Sequence, residues 1–197
     1  MNGTNGNLAY KVEPRTEIIG GKVVMLAAPI SIHEYATDNI YNIFYEYLRG
    51  KRCRVYSSNW GVLLEDGEEY MPDVKVVCDR SKVKGDGIHG APDLVVEVLS
   101  PSTARNDRGH KLRVYERCGV REYWIVDPKN RSVEQYVLEG GRFDLFGYYQ
   151  QLSEEYLNMV SEKRRAEMAA EAASEFQCAL FEDLTVSLER IFDEDYN

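Results

Sequence analysis

MPDVKVV (residues 71–77), APDLVVEVLSPST (91–103), DRGHKLRVY (107–115) and GVREYWIVD (119–127) follow one another in the middle of this chain. The first, second and fourth contain short runs rich in Val and Ile that read as strands, and the third reads as a helix between two of them. DLVVEVLS is a nearly continuous apolar run, the pattern of a central strand buried on both faces. Asp73, Asp93 and Glu97 stand at or inside such runs, where a carboxylate is costly to bury unless a positive group compensates it. A metal ion and Lys111 are the candidate compensators.

Strand geometry narrows the pairing. Side chains two apart share a face, so Asp93, Val95, Glu97 and Leu99 point one way and Leu94, Val96 and Val98 the other. Four residues of strand separate the α-carbons of Asp93 and Glu97 by roughly 13 Å, too far for both to be close ligands of one ion. Glu97 therefore needs a partner from another strand, and Asp73, at the start of the PDVKVV run, is the natural one. Two carboxylates with a backbone carbonyl and waters make a hard, oxygen-rich site suited to Mg²⁺ or Mn²⁺. On the following helix Asp107, Lys111 and Tyr115 are spaced by four and line one face. Turned toward the strand, that face brings Lys111 to the site; turned outward, it is an ordinary surface salt bridge.

Outward from this stretch the order of elements is α+β. RTEIIGGKVVML reads as a hairpin about Gly20-Gly21, and Ser31 is the expected cap of a helix from about Ile32 to Leu48. CRVYSSNWGVLL and YMPDVKVVCD read as strands, followed by the Gly-rich loop KGDGIHGAP. The helix after Ser100-Pro101-Ser102-Thr103 is expected to run from about Thr103 to Cys118 and to stop at Gly119. REYWIVDP and SVEQYVLE are two further strands joined by a turn. Residues 153–176, rich in Ala, Glu, Lys and Arg, read as an extra amphipathic helical segment. Leu180 to Phe192 reads as a docking segment before a solvated end, DEDYN.

Composition bounds the function. At 197 residues a single domain spanning 1–197 is expected. The sequence has no run of eighteen uninterrupted apolar residues, and MNGTNGNLAY lacks the basic and apolar parts of a signal peptide, so a cytoplasmic protein with no membrane partner is expected. A net charge of −9 and a pI near 5.0 argue against a broadly basic nucleic-acid surface. Charge is uneven, however: Arg105, Arg108, His110, Lys111, Arg113, Arg117 and Arg121 crowd beside the acidic residues of the central stretch. Cys53, Cys78, Cys118 and Cys178 form no CxxC pair and are read as small buried hydrophobes. With three histidines and no HxH or HxxxH pair, a His-rich zinc site is not expected. KGDGIHG lacks the Lys-Ser/Thr of a phosphate loop.

PDLVVEVLSPST, the Asp107…Lys111…Tyr115 helix and GVREYWIVDP together resemble the Uma-two family, first described as a domain of unknown function and assigned to the PD-(D/E)XK restriction-endonuclease-like superfamily. The resemblance covers roughly residues 15–150 and the last short segment. It implies a mixed β-sheet flanked by helices, with an acid on one strand and a (D/E)xK pair on the next. Here the pair reads Glu97-Val98-Leu99, so Leu99 occupies the lysine position. The resemblance implies that Lys111 takes over that lysine's place from the neighbouring helix. Carried over, Asp73 and Glu97 are metal ligands, Lys111 is the catalytic lysine and Asp93 is a nearby acid of the site. His33 matches a histidine typical of the family and is a further candidate with Glu34, Asp107 and Tyr115.

The expectation is thus a Mg²⁺- or Mn²⁺-dependent endonuclease acting on DNA, paired as a homodimer as the superfamily's habit implies. Two rivals use the same fold: a catalytically inactive nucleic-acid-binding or assembly protein, and a hydrolase of small phosphoesters. A basic groove at Glu97 would favour DNA, a small closed cavity the small substrate, and a flat acidic surface the scaffold.

Overall fold

The apolar run 94–98 is the strand β8 of a computed structural model that describes residues 15–28, 30–152, 154–171 and 173–194. The N-terminal MNGTNGNLAY and the last three residues of the DEDYN end lie outside the described residues. In chain order the elements are β1 (Thr16–Ile19), β2 (Lys22–Met25), α1 (Ser31–Tyr47), β3 (Arg54–Ser57), β4 (Val62–Leu63), β5 (Glu69–Tyr70), β6 (Val74–Val77), β7 (Ile88–His89) and β8 (Leu94–Val98). A helical stretch follows, made of α2 (Ala104–Asn106), a π-helical turn (Asp107–Lys111) and α3 (Leu112–Cys118). After it come β9 (Glu122–Asp127), β10 (Ser132–Glu139), β11 (Arg142–Gln150), α4 (Glu154–Met159), α5 (Glu162–Glu171), β12 (Glu175–Gln177), β13 (Thr185–Ser187) and α6 (Leu188–Ile191).

Strand β8 sits inside a six-stranded sheet of order β11-β10-β9-β8-β6-β3, antiparallel to β6 and parallel to β9. The sheet is therefore mixed, and helices flank it, as the sequence implied. Every side chain of β8 is buried, because each face carries its own core. Leu94, Val96 and Val98 face a cluster built with Ile40 and Phe44 of α1, Trp124, and the C-terminal Phe176, Leu188 and Ile191. Val95 and Leu99 face a second cluster with Val114 and Tyr115 of α3 and with Val62 and Tyr70. The latter two belong to a smaller sheet, β2-β1-β5-β4-β7, which lies over the same side as α3.

Several local expectations change. Ile30 occupies the capping position of α1 and supplies no side-chain bond, so Ser31 is the first helical residue rather than the cap. The run YMPDVKVVCD is broken at Pro72: β5 joins the small sheet and β6 the large one. The segment 153–176 is not one helix but α4 and α5, and Glu175–Gln177 is a strand paired with β13. RFDLFGYYQ, which carried no assignment, forms β11 across a hairpin whose turn holds Gly140 and Gly141 at positive φ.

Cys53 and Cys78 are not separate buried hydrophobes. They are disulfide-bonded, which joins the end of β6 to the start of its antiparallel partner β3. Cys118 and Cys178 are free, and Cys178 is buried as expected. The bridge spans a sequence separation of 25 residues, and a cross-link of that length restricts the unfolded chain by about 3 kcal/mol. Thermal melts with and without a thiol reductant are expected to differ by several degrees, with the reduced protein less stable. Equal melting temperatures for fully reduced and fully oxidised samples would contradict this.

Candidate active site

The pleat of β8 turns Glu97 toward α3 and the small sheet, on the side of Val95 and Leu99. Its carboxylate oxygen Oε1 accepts hydrogen bonds from Lys111 Nζ at 3.1 Å and from Tyr115 Oη at 2.8 Å. Lys111 and Tyr115 both face inward because the helix loosens into a π turn over Asp107–Lys111 before resuming as α3. Tyr123 Oη donates to the Asp107 carbonyl at 3.1 Å and supports that turn from β9. The inward alternative for the Asp107, Lys111 and Tyr115 face is thus the one adopted: their residue exposures are 1%, 2% and 0%.

Asp73 lies just before β6, and its Oδ2 accepts the Val98 N–H at 2.8 Å. The carboxylate continues the β6–β8 ladder by one rung, which sets it beside Glu97. His33, on the first turn of α1, places Nε2 at 3.4 Å from the same Asp73 oxygen, and its Nδ1 has no hydrogen-bond partner. Burial alone would lower the His33 pKa, but the bond and charge of Asp73, the charge of Glu34 and the Val98 backbone raise it above its ordinary value. Glu34 is half exposed, 3.8 Å from His33 Nδ1.

Asp93 does not join this group. It sits at the opposite end of β8, where Oδ2 accepts the Cys78 N–H at 2.7 Å and Oδ1 lies 3.8 Å from Arg121. Its work there is to hold the end of β6, in keeping with the strand distance that separates it from Glu97.

Two buried charged groups of the site escaped the sequence reading. Glu17 of β1 has one carboxylate oxygen, Oε1, that accepts both Lys111 Nζ at 2.8 Å and the Met71 N–H at 2.8 Å. Lys75 of β6 is fully buried and donates to the Pro72 carbonyl at 2.9 Å. Lys75 interrupts an apolar run, the kind of signal that singled out Glu97, whereas Glu17 follows Arg15 and Thr16 and carries no such mark. Burial pulls the Lys75 ammonium down to about 7 against the opposing charges of Glu97 and Asp73.

The electrostatic balance of the cluster is acid-rich. Lys111 lies within 4 Å of Glu17, Glu97 and Asp107, the last at 3.5 Å. Burial would depress the lysine, but these three acids together hold it firmly protonated. Burial pushes the Glu97 carboxyl up to about 8; Lys111 opposes the rise, and Asp107, Asp73 and Glu17 add to it. Burial also raises Asp107, and neither of its carboxylate oxygens has a hydrogen-bond partner. Its compensation is the Lys111 charge at 3.5 Å, and buried acids held this way cluster at functional sites.

Asp73, Glu97 and Lys111 line a cavity of about 300 Å³. Among the described residues no group of three or more His, Cys, Asp or Glu side chains is arranged to hold a metal ion. The two carboxylates of Asp73 and Glu97 nevertheless fit a hydrated hard ion, since Mg²⁺ commonly takes one or two carboxylates and keeps several waters. The raised Glu97 carboxyl points the same way: a divalent cation would hold it ionised against its acidic neighbours.

Comparison with known proteins bears on the family and the fold. The profile of the Uma2 family, the Uma-two family of the sequence resemblance, carries the description "Putative restriction endonuclease" and matches residues 8–167. Two proteins of Synechocystis, both named as uncharacterized, are similar. One, slr1290, is 30% identical over 122 residues, 61% of this chain and 64% of its own length. The other, sll1609, is 26% identical over 132 residues, 65% of this chain and 75% of its own. The chain thus spans just under two thirds of the first relative. A crystal structure titled as a putative nuclease belonging to DUF820, from Anabaena variabilis, superposes with a TM-score of 0.63 over 91% of this chain and 90% of that one. At 18% identity this last likeness is one of fold.

Proposed function

The chain belongs to the Uma2 family, and from that membership we propose that it is a metal-dependent endonuclease that hydrolyses phosphodiester bonds of DNA. The observation that carries this reading is the junction of Asp73, Glu97 and Lys111 at one wall of a cavity, with the lysine bonded to the carboxylate it would accompany in catalysis. Asp73 and Glu97 would hold Mg²⁺ or Mn²⁺, which when bound supplies a Lewis acid for a phosphoryl oxygen and a more acidic water.

The chain's own groups have distinct tasks. Lys111, itself buried, keeps its charge at neutral pH and stabilises negative charge as it builds on the phosphate. Tyr115 and Glu17 fix the lysine and the glutamate relative to each other, so little reorganisation is needed at the moment of reaction. His33, bonded to neither backbone nor side chain at Nδ1, steadies Asp73 through Nε2.

The test is cleavage of single-stranded, double-stranded and supercoiled DNA with Mg²⁺ or Mn²⁺, run beside Glu97→Ala and Asp73→Ala. Metal-dependent cutting is expected, reduced at least about 100-fold in either variant. Cutting that survives both substitutions would show the site to be misplaced. No cutting by folded wild type would shift the reading to a protein that binds without catalysis. The small volume of the cavity supports a second reading, hydrolysis of a small phosphoester. Turnover of bis(p-nitrophenyl) phosphate without cleavage of any DNA would favour it.

A further inference from the structure

We infer that the cavity takes one unpaired nucleotide of the substrate strand, so that the enzyme acts on single-stranded or locally opened nucleic acid rather than on intact duplex. The inference rests on the nuclease reading and adds the form of the substrate to it.

The shape comes first. The reacting carboxylate Glu97 is only 4% exposed and is reached through a cavity of about 300 Å³, near the lower end of small-molecule pockets. That volume suits a single nucleotide. Leu26, Ala27, Ala28 and Ile30, between β2 and α1, line the cavity on one part, and Ser100 to Thr103, before α2, on another. In intact duplex each phosphate stays flanked by stacked, paired neighbours, which meet these segments before the phosphate reaches Glu97. A nucleotide released from pairing can enter, and an already single strand avoids the cost of unstacking and unpairing.

The lining chemistry is of two kinds. Leu26, Ala27, Ala28, Ile30 and Met71 give apolar surface for a base or sugar. The same cavity carries groups suited to a phosphate. Arg15 is tethered through Nη2 to the Ser58 carbonyl at 3.0 Å, while its buried Nε has no partner. The hydroxyls of Ser100, Ser102 and Thr103 gather at the same cavity, with Ser100 Oγ 3.0 Å from Ser102 Oγ and 3.1 Å from Thr103 Oγ1. The apolar wall also continues outward: Met25 is 69% exposed and Ile30 57%, a surface on which neighbouring unstacked bases can rest. An apolar wall reads no base edge, so cleavage should tolerate sequence.

One oligonucleotide sequence presented as a single strand, as a perfect duplex and as a duplex with a central unpaired bubble separates the outcomes, using the full chain with Mg²⁺ or Mn²⁺. Single strand and bubble are expected to be cut at least tenfold faster than duplex. Ala27→Trp, at an exposed position on the apolar wall, is expected to slow single-strand cleavage at least tenfold with an unchanged melting temperature. Duplex cut as fast as single strand, or wild-type rates in Ala27→Trp, would overturn the inference and leave the nuclease reading intact. Cleavage of none of the three would overturn both.

Discussion

Lys111→Met is expected to abolish cleavage and to cost the fold about 3–5 kcal/mol, the range for removing one member of a buried ionic group. The lysine is the only cation among the described residues with ion-pair contacts to Glu17, Glu97 and Asp107, and all three acids are buried. Without it, the acids either take up protons or repel one another in a medium of low dielectric. Catalysis should suffer more than stability, at least about 100-fold, because the charge that faces the phosphate disappears with the side chain. A double variant separates the two effects. Lys111→Met with Glu17→Gln removes one of the stranded acids, so urea denaturation should recover part of the lost stability while cleavage stays absent. If Lys111→Met is as stable as wild type, the buried cluster described here is wrong. If it cuts DNA normally, the lysine's catalytic role is wrong.

The same cluster shows what the sequence could and could not disclose. The face of β8 that carries Glu97 was legible because a strand alternates with period two and each neighbour was apolar. The partnership of Asp73 with Glu97 followed from distance along the strand, and the ladder confirms the neighbourhood through the Val98 N–H. Asp93 was drawn toward the site by its place at the head of the same apolar run and by the resemblance, whereas strand length carries it to the far end of β8. Glu17 was overlooked because the hairpin that delivers it lies some eighty residues from Glu97, and nothing local says which long-range neighbour a hairpin packs against. Lys75 had the clearer signal, a charge within VKVV, but the sequence does not say that this strand lies between β8 and β3 with both faces covered. The π turn at Asp107–Lys111 has no sequence mark beyond Gly109, and its support, Tyr123, comes from a different element. The Cys53–Cys78 bridge required knowing that β3 and β6 pair antiparallel in a register that brings their ends together.

Glu122→Ala is expected to cost about 4 kcal/mol and to release the C-terminal segment from the sheet. Glu122 opens β9 with its side chain turned to the α1 side, where no cation among the described residues lies within ion-pair distance and five donors converge on it. Oε1 accepts Trp124 Nε1 at 2.7 Å, Gln135 Nε2 at 2.7 Å and the Ala179 N–H at 3.2 Å. Oε2 accepts the Leu180 N–H at 2.6 Å and Cys178 Sγ at 3.3 Å. Removing the carboxylate strands the donors it satisfied, each at about 1–3 kcal/mol when buried, with some relief as the segment loosens toward water. The consequence reaches the candidate site. Residues 176–192 pack on Trp124 and on α1, and Asn39 of α1 holds the carbonyls of Ile191 and Asp193. Helix α1 in turn carries His33 to Asp73. Limited proteolysis should therefore cut Glu122→Ala first near residues 173–185, ahead of global unfolding, and any cleavage activity should fall by less than in Lys111→Met because no reacting group is lost. Glu122→Gln keeps one strong acceptor and should retain most of the stability. Proteolysis of Glu122→Ala at the wild-type rate would mean that apolar packing of Phe176, Leu188 and Ile191, rather than this carboxylate, docks the segment.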